Sequence, residues 1–425
     1  MTAAAAQQAP RPSLQNAPYK FAAEPEAMNI QSEALTSRHP RLLLRIATLY
    51  MLGVYKNQNN KSQLGVSMSH DGGDSFEMTA MVSDPNASVS SHGQNNPSLA
   101  ISGGAVYALW EQSREGGGTD LMFARSLRMG HVFEKPIPII TDKTTPSTNG
   151  FSNLGVAPNG DVYAVWLDGR DPKETPGTFS IYFSRSTDRG ATFSKNMPIA
   201  ASVCPCCRPN LTFGAKGEVY VGWRKVFDND IRDMVIAASL DNGATFKPAV
   251  RAAVDNWKLS GCPDTGPAMQ VKGNRLYVAW YSEGNGNNAG IRIVQSDDSG
   301  KTFSKPIIAS GNTQDANHPA FSLSADGRLL MVFQGRDATE KDGWGTVRPY
   351  IVEVLDDGSV TQPLAVPGNK KSIAYPTIAA GTVGRVFVAW TEGTAKGSAI
   401  FLSRGRREAP EQTSSSGKVK TSGQR

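Results

Sequence analysis

The residues best suited to chemistry are the four cysteines, which fall in two short segments: Cys204-Pro205-Cys206-Cys207-Arg208-Pro209 and Cys262-Pro263-Asp264. Pro205 and Arg208 mark the first segment as an exposed turn, and three thiols within four residues of such a turn are an uneconomical way to fill a core. Three chemistries suit them. Cys262 can bond to one member of the triplet with a second disulfide inside it; Cys204–Cys207 has a feasible reach, whereas Cys206–Cys207 needs the strained vicinal form. Alternatively, Cys204, Cys206, Cys207 and Cys262, with His318 or His39, can hold copper or zinc. A redox role, or a thiol nucleophile whose pKa is lowered by Arg208, is the third reading.

The other reactive side chains collect at comparable places in the chain. His39 and His318 each precede a proline, as do Asn96, Arg208 and Tyr375. With Asn95, Asn149, Asp264, Asp315 and Asn317 they would form a polar funnel able to hold a small polar ligand, a metal ion or a protein partner. Asp168-Gly169-Arg170-Asp171 and Gly335-Arg336-Asp337 read as ion-pair turns, and His70 and His131 as surface residues.

What would bring these residues together is a repeat. Short apolar strands open at Pro40, Pro97, Asn153, Pro209, Pro267, Pro319 and Pro376, at steps of 57, 56, 56, 58, 52 and 57 residues. Each opening is followed by a Gly-containing turn and a second strand: Leu49–Gly53, Val106–Trp110, Val162–Trp166, Val219–Trp223, Leu276–Trp280, Leu329–Phe333 and Val386–Trp390. Five of these end in Trp, as expected of large side chains filling the space between stacked sheets. A period of this length repeated seven times predicts an all-β, seven-bladed β-propeller of four-stranded antiparallel blades, with six blades as the fallback. The first strands then face the axis, so segments a full repeat apart become neighbours.

Four third-to-fourth-strand turns share one pattern: Ser69 to Phe76, Ser186 to Phe193, Ser239 to Phe246 and Ser296 to Phe303, with Asp71, Asp188, Asp241 and Asp298 at the third position. In each, the carboxylate can accept turn N–H groups, Gly permits positive φ, and Phe anchors the loop. Ser126 to Phe133 keeps the frame but has Arg128 in place of Asp, and Asp356-Asp357-Gly358 is a shortened relative.

These turns resemble the Asp-box, or BNR repeat, of the sialidase-like propeller superfamily. The resemblance implies a propeller fold with the boxes on the outer rim. It would further imply glycoside hydrolysis by three arginines, a Tyr nucleophile assisted by Glu, and an Asp acid/base. Tyr281 and Glu283 could supply the pair, and Arg41, Arg208, Arg336 and Arg348 are the arginine candidates. The Phe/Tyr-Arg-Ile-Pro motif of sialidases is replaced by Ser37-Arg38-His39-Pro40-Arg41. A fold outlasts a change of function, so the expectation is a non-hydrolytic propeller. Its Cys-rich axial mouth would bind a soft metal or a partner. The alternatives are a sialidase-like exo-glycosidase and a structural propeller stapled by disulfides.

Composition narrows the classes. The 425 residues exceed what one ordinary core fills, which suits a repeat array. The net charge of +6 is thinly spread, with no basic helix face and no aromatic-basic platform, so nucleic acid is not an expected partner. No apolar run reaches membrane-spanning length, and no dinucleotide or phosphate loop announces an organic cofactor. Residues 1–20 are expected to be disordered, 21–408 to form one propeller, and 409–425 to be a flexible tail. A strand within Phe21–Leu35 is expected to complete the seventh unit, which ends one strand short at Ser403-Arg404-Gly405. A missing leader peptide would make the chain periplasmic or secreted.

Overall fold

The computed structural model describes residues 18–22, 26–27, 36–57, 59–114, 117–141, 149–170, 177–285, 289–337, 345–395 and 397–408. The tail 409–425, and all of the head before Pro18, lie outside them. Among the described residues the only helical elements are two three-residue 3-10 segments, Asp228–Asp230 and Thr382–Gly384; everything else regular is antiparallel β.

The alternating Val, Tyr, Ala and Trp of the second strands form the middle of each sheet. Val162–Asp168, for example, pairs with Asn149–Val156 on one side and Phe179–Ser186 on the other. Its seven residues are all buried, because neighbouring sheets cover both faces. Trp110, Trp166, Trp280 and Trp390 are fully buried and Trp223 nearly so, and Phe333 takes the equivalent place. Each buried cluster draws side chains from consecutive repeats; one unites Tyr163, Val165 and Phe183 with Val221, Trp223 and Val235.

Six hydrogen-bonded sheets result. Three are simple four-stranded meanders, beginning at Thr36–Arg45, Ala268–Lys272 and Gln314–Leu323. One sheet has eight strands, but its halves, Asn149–Val203 and Asn210–Arg251, are joined by the single pair Val203 and Lys225. The last sheet is built from both ends of the chain: Tyr19–Phe21 and Glu26–Ala27 both pair with Gly397–Arg407. Among the described residues the first strand thus includes Tyr19, within the head expected to be disordered; Tyr19 is 5% exposed and packs with Val388 and Trp390. First and last sheets also touch directly. The Ser37 hydroxyl accepts from Ile400 N at 3.0 Å, and Ser398 donates to Ser37 O at 3.1 Å.

The four Asp turns are closed as the residue types dictate. In the first, Ser69 Oγ donates to Asp71 Oδ1 at 2.7 Å and accepts from Gly73 N at 2.8 Å, while Ser75 Oγ donates to Asp71 Oδ2 at 2.5 Å. The turns at Asp188, Asp241 and Asp298 repeat this network. Gly190 is required on two counts: its φ is +81°, and a Cβ there would lie 2.7 Å from the Phe123 ring.

Candidate functional site at the central cavity

The first strands of all the repeats converge on one cavity of about 540 Å3. Its wall includes the residue just after each strand-opening position: Arg41, Ser98, Asn153, Asn210, Ala268, Ala320 and Thr377. Three of them bind the next repeat in the same way. Arg41 Nε donates to Pro97 O at 3.3 Å, Ser98 Oγ to Ser152 O at 3.2 Å, and Asn153 Nδ2 to Pro209 O at 3.3 Å. This pattern corrects the third repeat marker by one residue: Ser152, not Asn153, is the equivalent of the prolines.

A register shift recurs just before the openings, between Arg38 and Arg41, Gly150 and Asn153, Asn317 and Ala320, and Ala374 and Thr377. Each bulge places a non-glycine residue in the left-handed region: His39 (φ 54°), Phe151 (53°), His318 (52°) and Tyr375 (51°). Such conformations cost free energy and persist where packing over-determines them, commonly at sites of function. At three of the four they turn ring side chains toward one another, whereas Phe151 packs against His92. His39 and His318 flank Tyr375, with centroids 5.2 and 4.7 Å away.

Around that trio the polar groups are shared between repeats. His39 Nδ1 is hydrogen-bonded to Ser91 Oγ, and His318 Nε2 lies 2.9 Å from Asp264 O. Tyr375 OH donates to Asp264 Oδ2 at 3.3 Å, and Gln94 N donates to Asp264 Oδ1 at 3.2 Å. Burial, with Arg38, His92, Arg41 and Arg208 adding repulsion, pushes the His39 pKa down to about 3. Burial also lowers that of His318. Both imidazoles are neutral at pH 7. Burial and the Asp264 carboxylate raise Tyr375, which keeps its proton.

Arg208 and Arg41 share the cavity wall. Arg208 is 6% exposed; its Nη2 donates to Ser98 Oγ at 2.5 Å and its Nε has no partner among the described residues. Burial, then the repulsion of Arg41, holds its pKa well below the ordinary value, and burial lowers Arg41 to about 10. Neither pairs with a carboxylate among the described residues. The Asn96 Oδ1 atom on the same wall is also buried without a partner among the described residues. Gln94, which the sequence reading passed over, holds the arrangement: its Oε1 accepts from Arg208 N at 3.3 Å and Gly266 N at 2.6 Å. Its signal was positional, two residues before the Asn96-Pro97 opening.

The cysteines lie beside this cavity. Cys206 and Cys262 form a disulfide with Cα atoms 6.2 Å apart, joining two repeats. Cys204 and Cys207 remain thiols, 3.2 Å apart, and both are completely buried. The exposed turn expected around Pro205 and Arg208 is thus corrected, because the neighbouring repeat covers it. Cys206 Sγ is 3.8 Å from Cys204 Sγ, and Arg232 Nη1 donates to Cys204 Sγ at 3.4 Å. The hydrogen bond from Cys207 lowers the Cys204 pKa, assisted by Cys206 N, Arg224 and Arg232, while burial raises Cys207. The sulfurs of Cys204, Cys206 and Cys207 lie within 4.8 Å of one another; His39 and His318 are not part of that group.

Other anticipated residues are elsewhere. Asn95 and Asn149 are buried between repeats, where Asn95 Oδ1 accepts from Phe151 N and Asn149 N donates to Thr119 Oγ1. Asp315 is ion-paired with Arg336. Asp168 binds both Arg170 and Trp166 Nε1. Tyr281 OH donates to Glu283 Oε1 at 2.6 Å, which with burial raises the Tyr281 pKa. That pair does not line the cavity holding Arg41 and Arg208.

Neither a protein-family model nor a curated protein sequence matches the chain. Solved structures do. The chain is similar to polysaccharide lyase Uly1, at 10% identity and TM-score 0.55 over 89% of this chain and 91% of that one. It is similar to a protein of unknown function from Dyadobacter fermentans, at 16% identity and TM-score 0.53 over 77% and 97%. A third likeness is to Penicillium chrysogenum alpha-L-arabinanase complexed with arabinobiose, at 14% and 0.51 over 72% and 92%. Sialidases match too; this chain spans 59% of the Trypanosoma rangeli enzyme at 12% identity. At these identities the likeness establishes a propeller-type fold and nothing of the chemistry.

Proposed function

We propose that the chain is a seven-bladed, non-hydrolytic propeller that binds a small anionic polar ligand in its central cavity. The blade count rests on dividing the eight-stranded sheet at its single Val203–Lys225 pair, and on the contact between the first and last sheets. The ligand reading is carried by one observation: Arg41 and Arg208 share a cavity with no carboxylate paired to either among the described residues. A buried cation without a counter-ion is costly, and an anionic ligand offsets that cost by supplying one. Arginine suits carboxylate and phosphate equally well. Glycoside cleavage is not part of the reading, since Tyr281 and Glu283 stand outside the cavity wall. The Cys206–Cys262 bond supports an oxidising, periplasmic or secreted location.

Calorimetric titration with glucuronate, citrate and inorganic phosphate tests this. Saturable binding of at least one, lost in Arg208→Met, is the expected result. No binding by any of them, or equal binding by the variant, would sink the proposal.

The buried thiol pair favours a second reading, a soft-metal site. Cys204 and Cys207 provide two sulfur donors, while Cys206 is committed to Cys262. Two thiolates suffice for copper(I) but fall short of the four ligands of structural zinc. Protein isolated without chelator should then carry near-stoichiometric copper that disappears in Cys204→Ser and Cys207→Ser; metal-free protein would discard the reading.

A further inference from the structure

The four sulfurs grade from exposed to buried. Cys262 is exposed, Cys206 is half-buried, and Cys204 and Cys207 are buried. The Cys206–Cys262 bond is followed by gaps of 3.8 Å to Cys204 and 3.2 Å to Cys207. A disulfide held this near a free thiol, with a second free thiol behind it at Cys-x-x-Cys spacing, has every participant needed for exchange. A staple alone needs neither buried thiol. The inner pair is covered by protein and out of reach of an external thiol, so any traffic to it passes through Cys206.

We propose that these residues form a thiol–disulfide exchange site that passes the disulfide between an outer position, Cys206–Cys262, and an inner one, Cys204–Cys207. In the first step the Cys204 sulfur attacks Cys206 Sγ. The Cys204–Cys206 bond forms, the Cys206–Cys262 bond breaks, and the proton lost from Cys204 is taken up at Cys262. In the second step Cys207 attacks Cys204, which forms Cys204–Cys207 and leaves Cys206 as a thiol carrying the proton lost from Cys207. One disulfide and two thiols exist before and after, so no oxidant or reductant is consumed. Arg232 is placed to guide the first step, since it donates both to Cys204 Sγ and, at 2.6 Å, to Gly261 O beside the departing Cys262. The product presents two thiols, Cys206 and Cys262, at the mouth, where a disulfide-bearing substrate can reach them. The exchange is independent of the anion reading and competes with the copper reading, which needs Cys204 and Cys207 as thiols.

The test is native-state labelling of the full chain with iodoacetamide, followed by mass-spectrometric mapping of disulfides without reduction. The wild type should accumulate label on Cys262 together with a Cys204–Cys207 bond. Cys207→Ser should also label at Cys262 but stop at Cys204–Cys206. Cys204→Ser should retain Cys206–Cys262 and lose the Cys262 label. If Cys204→Ser does not fold, the Cys207→Ser intermediate alone decides. A wild type whose Cys206–Cys262 bond persists with Cys262 unlabelled, or one in which all four cysteines label at the outset, would overturn the exchange.

Discussion

The outer turns and the central cavity handle charge in opposite ways. At the rim, Asp71, Asp188, Asp241 and Asp298 each receive hydrogen bonds from hydroxyls and N–H groups of their own turn, which hold all four carboxyls below the usual range. Every donor comes from within four residues, so the charge is stabilised before any sheet packs. At the cavity, Arg208, Arg41, His39 and His318 come from three repeats, are pushed away from their charged forms by burial, and leave donors unspent. The rim spends charge on holding the fold together. The cavity holds charge in reserve, and an unspent buried donor is what a binding site requires.

The sharpest way to break this contrast is acid. His39 has a folded pKa of about 3 against an ordinary 6.5, so between those values the unfolded chain binds the extra proton. Stability is therefore full above pH 6.5 and falls as the pH drops, at about 1.4 kcal/mol per pH unit for one proton. Urea unfolding at pH 7, 6, 5 and 4 should show this slope, reduced but not abolished in His39→Gln because His318 titrates in the same direction. A variant slope equal to that of the wild type would mean His39 is not held neutral by the cavity. The next largest effect is that of Arg208→Met without ligand. Removing a buried, unpaired cation should raise stability, by about 1–2 kcal/mol, as the obverse of the penalty for leaving a buried polar group unsatisfied. The same variant loses ligand binding, and stability gained as binding is lost is the mark of a reserved charge.

The rim was the more legible of the two regions because its information is local. Ser, Asp, Gly and Thr at fixed offsets specify their own hydrogen bonds, and the openings at Pro40, Pro97 and Pro209 announce the repeat. Legibility failed by one residue where Ser152 stands in place of proline, since only the bond from Ser98 to Ser152 O reveals the equivalence. It failed further at the cysteines. Pro205 and Arg208 look like a surface turn in one dimension, yet the next repeat buries Cys204, Cys207 and Arg208. Choosing Cys206 as the partner of Cys262 likewise depends on how two repeats stack. Asn95 and Asn149 share the register of the cavity but turn between repeats, a choice made by packing rather than residue type.

The smallest effect belongs to the rim and completes the contrast. The folded pKa of Asp241 is about 2 against an ordinary 3.8, so its contribution is present above pH 4 and lost as the pH falls toward 2. The carboxylate is exposed, and solvent screening limits Asp241→Asn to under about 1 kcal/mol at pH 7. The Ser239 and Thr245 hydroxyls donate to separate oxygens of Asp241, so Asn keeps an acceptor for only one of them and lacks the charge that strengthens both bonds. Melting temperatures of wild type and variant should differ slightly from pH 7 to pH 5 and converge below pH 4. The His39 loss begins near pH 6.5, so the two regions separate along the pH axis. A wild-type–variant gap that already closes between pH 6 and pH 5 would show that the rim carboxylate is coupled to the cavity, and the division of labour between the two regions would fail.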